Sequence, residues 1–182
     1  MSFLDLVKKR QSCRCYSSRA VKREKIERCL ESARLAPSAC NSQPWYFIVV
    51  DDPELKNKIV KTTFSTIIRF NMFTLQAPVM VVVISEPQKL IAFVGSKLRG
   101  VPYHLVDIGI AAEHFCLQAI EEGLGSCIIG WFNERKIKSL LKLSKSKKVE
   151  FVISLGYPAE GDKLRKKDRK KIDNIRHYNI EA

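Results

Sequence analysis

The chain has 182 residues and a mass of 20.8 kDa, which predicts one folded domain over 1–182 with a basic extension over 159–182. Apolar types make up 46% and charged types 28%, enough apolar surface to offset chain entropy, so general disorder is excluded. The net charge of +13 sits at the ends: residues 1–35 hold ten Lys/Arg against four Asp/Glu, residues 163–176 eight against two, and the body between is nearly neutral.

Residues 3–9 read as a short amphipathic helix leading into a loop over 10–20. Residues 21–36 carry Ile26, Cys29, Leu30 and Ala33 at helical spacing, and Pro37 stops them. The loop 37–44, rich in Ser, Asn and Pro, feeds a strand over 45–50. Asp52 before Pro53 reads as the cap of a helix reaching about Asn71. The β-branched run 79–85 has the pattern of a strand buried on both faces. Residues 86–104 form an excursion with a short helix expected over 88–93. The helix 107–122 is apolar nearly all round, which asks for a central or interface position; Gly109 would permit a close helix approach, and Gly123 stops it. A strand over 126–130, a helix capped by Asn133 and running to about Leu143, and a last strand over 150–157 complete an α+β fold: helices covering a central mixed sheet of about four strands. Ile172, Ile175 and Tyr178 give the charged tail a reason to dock, with a partner subunit as the natural surface.

The charge-free stretches 35–50 and 70–85 are broken by polar residues and proline and fall short of the roughly 20 apolar residues of a membrane span. Residues 1–10 hold no apolar signal core, so a soluble, cytoplasmic protein is expected. The six cysteines lack CxxC spacing and are read as reduced thiols; Cys13 and Cys15 make at most half a zinc site.

No dinucleotide-binding turn, Walker loop or Gly-x-Ser-x-Gly elbow occurs, and no two of His104, His114 and His177 are spaced as zinc ligands. His114, within the apolar helix, reads as a satisfied core or interface group. With no protein-borne nucleophile, a cofactor is expected to carry any reaction. Arg10, Ser12 and Arg14 alternate in an extended segment, spanning roughly 13 Å on one side. Two guanidinium groups around a hydroxyl suit a phosphate at one end and an electron-rich group at the other, although a basic surface loop is the plainer reading. Ser38, Asn41, Ser42 and Gln43 crowd the second loop with neutral hydrogen-bonding groups, which suit a flat heteroaromatic ligand.

Taken together, these elements resemble the nitroreductase-like flavoproteins, and the chain looks like a short, bacterial-type member of that family. The resemblance runs in order through Arg10 to Arg14, Tyr16, Pro37 to Trp45, Asp107-x-Gly109, Gly123 to Gly125, Gly130 to Phe132, Gly156 to Pro158 and the basic tail. It implies an intertwined, obligate α+β homodimer with two FMN molecules in the subunit interface. By that resemblance Arg10 and Ser12 hold the FMN phosphate and ribityl chain, and Arg14 lies near the N1–C2=O edge of the ring. Pro37, Ser38, Ala39 and Asn41 line the flavin from the other subunit; Ile128, Ile129 and Gly130 pack backbone on the ring and donate to N5; Lys167 and Arg169 meet the phosphate. No residue is assigned to catalysis itself, and Asn71 is a further candidate for the flavin O2 edge. The implied reaction is ping-pong hydride transfer from NADH or NADPH through flavin N5 to a small-molecule acceptor such as a nitroaromatic or quinone. A flavin reductase or dehalogenase on the same fold is the alternative, and a basic nucleic-acid-binding module is a remote one. The partners expected are thus a second copy and a small molecule, with neither nucleic acid nor membrane.

Overall fold

Four strands, β1 (Trp45–Val50), β2 (Val79–Ser85), β3 (Gly125–Ile129) and β4 (Lys148–Gly156), form one sheet in the order β1-β2-β4-β3 in a computed structural model that describes residues 2–179. Residues 180–182 of the expected extension lie outside the described residues. Every ladder is antiparallel. The mixed character expected of the sheet reduces to a single parallel bridge, Ser12 to Ser126, on the outer edge of β3. The segment between Ile129 and Lys148 re-enters the sheet at the end it left, and such a return makes an antiparallel pair.

The alternation in β2 builds two cores. Val79, Val81 and Val83 pack toward α2 (Arg23–Arg34) and α5 (Tyr103–Glu121), with Phe115, Ile153 and Leu155. Met80, Val82 and Ile84 pack on the opposite face with Ile59 of α3 (Pro53–Val60), Ile137 of α6 (Glu134–Leu140), Cys13 and Tyr16. Both faces of β2 are therefore covered, as its continuous apolar run requires.

Several helix boundaries depart from the sequence expectation, among them the end of the helix capped by Asn133, which stops at Leu140 and not near Leu143. The helix opened by Asp52, whose carboxylate accepts the Leu55 N–H, ends at Val60 instead of near Asn71. Thr62 and Thr63 end it, because their hydroxyls donate back to the carbonyls of Ile59 and Val60 at 2.7 and 2.8 Å. Inside the excursion the helix is α4 (Leu90–Arg99), later and longer than residues 88–93, and closed by Gly100 at φ 65. Helix α5 begins at Tyr103, four residues before the expected start. Its Gly109 is exposed and an added Cβ would meet nothing within 4 Å, so no helix approaches it within this chain. Ahead of all these, α1 (Phe3–Lys9) is opened by a capping box between Ser2 and Asp5. No helix of the described residues is long and apolar enough to cross a membrane.

Candidate functional site

The loop after α1 is strand-like and pinned on both sides. Cys13 N–H donates to the Ser126 carbonyl at 2.9 Å, Ser17 N–H to the Tyr157 carbonyl at 2.9 Å, and Ala159 N–H to the Cys15 carbonyl at 3.0 Å. Tyr16 is buried, with its hydroxyl 3.0 Å from the Cys13 carbonyl and 2.8 Å from Ser154 Oγ. Cys13 is turned into the core, while Arg14 is exposed and Arg10 and Ser12 are half-buried.

The tail returns to this loop. Gln11 bonds both ways with it, Nε2 to the Lys163 carbonyl at 3.3 Å and Oε1 from the Arg165 N–H at 3.0 Å. Arg165 reaches the Ser12 carbonyl, and the Lys167 ammonium donates to the carbonyls of Arg10 and Val7. The two basic ends thus converge in one chain. Only the first half of the tail docks, however: Ile172, Ile175 and Tyr178 remain 57%, 65% and 77% exposed.

Arg10 has one anionic neighbour, Glu113 of α5, at 3.3 Å. Burial, then repulsion from Arg10 and Arg169, holds the Lys167 ammonium below its usual range. Cations crowd here beyond what the local carboxylates balance, and an anion such as the phosphate of FMN would relieve that repulsion. The donor set fits the group. Arg169 itself is exposed and bonds only the Asp168 carbonyl, at 2.7 Å, so it stands near the cluster without being fixed in it.

The second loop is held in an unusual backbone. Cys40, Asn41 and Gln43 take φ of 53, 51 and 48, a left-handed region that non-glycine residues enter at a cost of about 1 kcal/mol or more each. Its anchors are numerous. Ala39 N–H donates to both carboxylate oxygens of buried Asp107, Gln43 N–H to Ser38 Oγ at 3.0 Å, Gln43 Nε2 to Asn41 Oδ1 at 2.8 Å, and Lys89 N–H to Ser42 Oγ at 3.3 Å. A loop strained and over-determined in this way is the kind that presents polar groups to a ligand. Pro37 and Asn41 are exposed, and Ser38 and Ala39 half-buried.

At the far end of β3, Ile128 is 42% exposed while Ile129 is buried, so Ile129 can offer a ligand only its backbone. Gly130 is exposed with open space where a side chain would stand. Asn71 is buried and turned inward: its Nδ2 donates to the carbonyls of Thr63 at 3.0 Å and Trp131 at 3.3 Å. It shapes the Gly130–Trp131 turn from beneath.

The structure therefore brings Lys167 to the Arg10 carbonyl and Arg165 to the Ser12 carbonyl, and presents Arg14, the loop 37–41 and the Gly130 turn as further surfaces. The buried thiols offer no nucleophile. Burial pushes Cys13 and Cys29 up to about 12 and Cys116 up to about 11, so they stay protonated. His114 is satisfied by Ser32, whose carbonyl lies 3.3 Å from its Nδ1 and whose hydroxyl donates to its carbonyl. Two contributors escaped the sequence reading. Glu113, which pairs with Arg10, looked like one polar residue on an apolar helix, and Arg165 like one more charge in the tail.

Comparison with known proteins shows the family. Residues 7–157 match the model of the nitroreductase family. An Archaeoglobus fulgidus protein bearing the name NADH dehydrogenase/NAD(P)H nitroreductase is 36% identical over 94% of this chain and 95% of its own. An iodotyrosine deiodinase of Thermotoga neapolitana is 26% identical over 85% of this chain and 87% of its own. Among solved structures, a nitroreductase family protein of Clostridium novyi NT superimposes with a TM-score of 0.78 at 32% identity, covering 88% of this chain and 87% of its own. The chain belongs to the nitroreductase family, FMN-dependent enzymes that draw electrons from NAD(P)H, and is an oxidoreductase of that kind.

Proposed function

We propose that the protein transfers a hydride from NAD(P)H by a ping-pong mechanism to nitroaromatics, quinones or related small acceptors, and that it works as a homodimer. Bound FMN supplies the redox chemistry, taking the hydride at N5 and releasing it to the second substrate. The carrying observation is the docking of the basic tail on the Arg10 to Arg14 loop, with Lys167 on the Arg10 carbonyl and Arg165 on the Ser12 carbonyl.

Arg10 and Lys167, with Arg169 beside them, hold the phosphate by charge-assisted hydrogen bonds, and Ser12 meets the ribityl chain. Arg14 stands toward the N1–C2=O edge, where negative charge gathers on reduction. Guanidinium suits that place better than an amine, since it does not titrate and needs no reorganisation. Ile129 and Gly130 offer backbone free of side chain to the ring, and Ile128 lies exposed beside them. Pro37, Ser38, Ala39 and Asn41 cover it from the second subunit.

Dimerisation is supported by surface. The chain alone exposes 11746 Å², against about 9,000 Å² expected of a folded monomer of this mass. Leu90, Ile91 and Leu98 of α4 are 75%, 76% and 83% exposed, and Leu105 and Val106 of α5 lie open beside Gly109. Apolar surface of this extent is an interface.

Purified protein should be yellow, and anaerobic NAD(P)H should bleach it. A colourless protein that fails to take up added FMN would end this reading. A dehalogenase is the second reading, favoured by the similarity to the iodotyrosine deiodinase. Reoxidation of the reduced enzyme by a halogenated phenol faster than by a nitroaromatic would establish it.

A further inference from the structure

Beside Trp131, one residue past Gly130, opens a cavity of about 660 Å³ walled by Phe64, Trp131 and Phe132 and edged by Lys61, Arg135 and Lys136. Its two sides are pinned together, Asn133 N–H donating to the Thr62 carbonyl at 2.8 Å and Asn71 joining Thr63 to Trp131. A second cavity of about 640 Å³ shares Arg135 and continues to Lys142 and Lys145. Residues 135–148 hold seven Lys/Arg and no Asp/Glu. Lys138 and Lys148 are taken by Glu134, at 3.0 and 2.8 Å, and Lys147 by Glu86 at 2.5 Å. Lys61, Arg135, Lys136, Lys142 and Lys145 have no ion-pair partner among the described residues.

We propose that this double groove binds the phosphate-bearing half of the pyridine nucleotide and selects NADPH over NADH. The inference rests on the function proposed above, which puts the hydride acceptor against Gly130. Aromatic walls suit the adenine ring, since stacking asks only for a flat π-face. Lys61, Arg135 and Lys136, around the first cavity, suit the pyrophosphate. Lys142 and Lys145, beyond Arg135, suit the additional 2′-phosphate that distinguishes NADPH. Each cavity lies within the size range of small-molecule sites and has walls, whereas a nucleic acid would need an open track.

The test titrates the FMN-loaded dimer with 2′,5′-ADP, and separately follows flavin reduction by NADPH, by NADH and by 1-benzyl-1,4-dihydronicotinamide, which carries no phosphate. In Lys61→Ala/Arg135→Ala/Lys136→Ala, 2′,5′-ADP should bind on the order of ten-fold more weakly, in keeping with three exposed charge contacts. KM for NADPH should rise in parallel, and reduction by the benzyl compound should stay as in the parent. Lys142→Ala/Lys145→Ala should raise KM for NADPH more than for NADH. The control Lys170→Ala/Lys171→Ala, which removes two charges elsewhere, should leave 2′,5′-ADP binding unchanged. The proposal is overturned if the groove variants bind 2′,5′-ADP as tightly as the parent, if the control loses as much, or if duplex DNA occupies the groove and 2′,5′-ADP does not displace it. Should neither nicotinamide reductant bleach the flavin, the proposed function fails instead, and 2′,5′-ADP binding still decides the groove.

Discussion

Asp107 and Glu113 lie six residues apart on α5, so their carboxylates leave the helix about 120° apart around its axis and roughly 9 Å along it. Asp107 holds the 37–44 loop through Ala39, and Glu113 holds Arg10. The two halves of the proposed flavin site are thus anchored to different sides of one helix. That arrangement suits the proposed dimer, in which a second copy would supply the half that each side needs.

The Asp107 anchor should be separable from the fold. Its carboxylate oxygens lie 3.1 and 3.2 Å from the Ala39 nitrogen, and the residue is 4% exposed. Asp107→Leu leaves that N–H without its acceptor, at about 1–3 kcal/mol. That amounts to roughly 2–10 °C in Tm for a chain of this size. Asp107→Asn keeps one acceptor oxygen and should lose less than half as much. Calorimetry on both variants, with FMN affinity measured beside it, checks the order; an Asn variant as damaged as the Leu variant would show that charge, not the hydrogen bond, matters there.

Arg10 and Arg14 should divide their labour. Arg10→Ala removes a charge-assisted phosphate contact worth about 1.5–3 kcal/mol, or roughly 10–150-fold in FMN affinity. Arg14→Ala should retain flavin and slow its reduction by NAD(P)H. Flavin release on dilution and stopped-flow reduction measure the two separately. Equal flavin loss in both, with normal reduction of what remains, refutes the division.

Close packing sets the loop's position. A Cβ on Gly125 would stand 2.6 Å from both Cβ and Sγ of Cys13 and 3.2 Å from Pro158 Cγ. Cys13 cannot withdraw, because its N–H is bonded to Ser126. Gly125→Ala should therefore cost about 1–3 kcal/mol and weaken FMN binding as well, by displacing Ser12. The double change Gly125→Ala/Cys13→Ala should recover only part of the stability, since it removes the sulfur while the contact with the Cβ of residue 13 remains. Denaturant midpoints of the two variants decide this.

Much of this was legible in sequence because local signals and burial agreed. Asp52–Pro53, Asn133 and the β2 run each announced their element, and the alternation of Arg10, Ser12 and Arg14 around a buried Cys13 follows from strand geometry. What stayed hidden was set by distant partners or erased by averaging. The end of α3 depends on threonine hydroxyls turning back to carbonyls, which competes with helical periodicity and leaves no period of its own. The basic run 135–148 vanished inside a nearly neutral middle segment because acidic residues elsewhere in that segment cancel it in the sum. Glu113 could be read as an anchor only once the tail and the loop were seen to meet.

Acid should expose another tie between α2 and the end of α5. Glu122 receives Arg28 at 2.6 and 2.7 Å, and chiefly that contact, helped by Gln118 and Lys25, lowers its carboxyl from 4.5 to about 2. A folded-state value below the unfolded one stabilises the protein fully above about 4.5, and the contribution is lost as pH falls from there toward about 2. Glu122→Gln should thus be less stable than the parent at neutral pH, and the gap should close across that window. Arg28 is 52% exposed, so the gap is modest, about 1 kcal/mol. Urea midpoints at neutral pH and near the bottom of that window measure it; a gap that widens on acidification contradicts the sign.

Truncation after Gly161 tests the tail and the assembly together. The removed segment holds Arg165 and Lys167, which bond the carbonyls of Ser12 and Arg10, and Lys163 and Arg165, which bracket Gln11. The loop that presents Arg10 to Arg14 thereby loses its outer support within its own chain. The same cut removes Ile172, Ile175 and Tyr178, which are exposed in one copy and would dock on the second copy in the proposed dimer. These are two different losses, and point variants separate them. Lys167→Ala/Arg165→Ala should lower flavin content while leaving the dimer intact, because the docking residues remain. Ile172→Ser/Ile175→Ser should weaken the dimer first and lose flavin only as subunits part, so its flavin content should rise with protein concentration by mass action. Light scattering with flavin quantitation over a dilution series distinguishes the two patterns. A truncated chain that stays yellow and monomeric would mean that the 37–41 loop and the Arg10 patch do close on one flavin within a single subunit, and the opposed anchoring on α5 would then have no functional meaning.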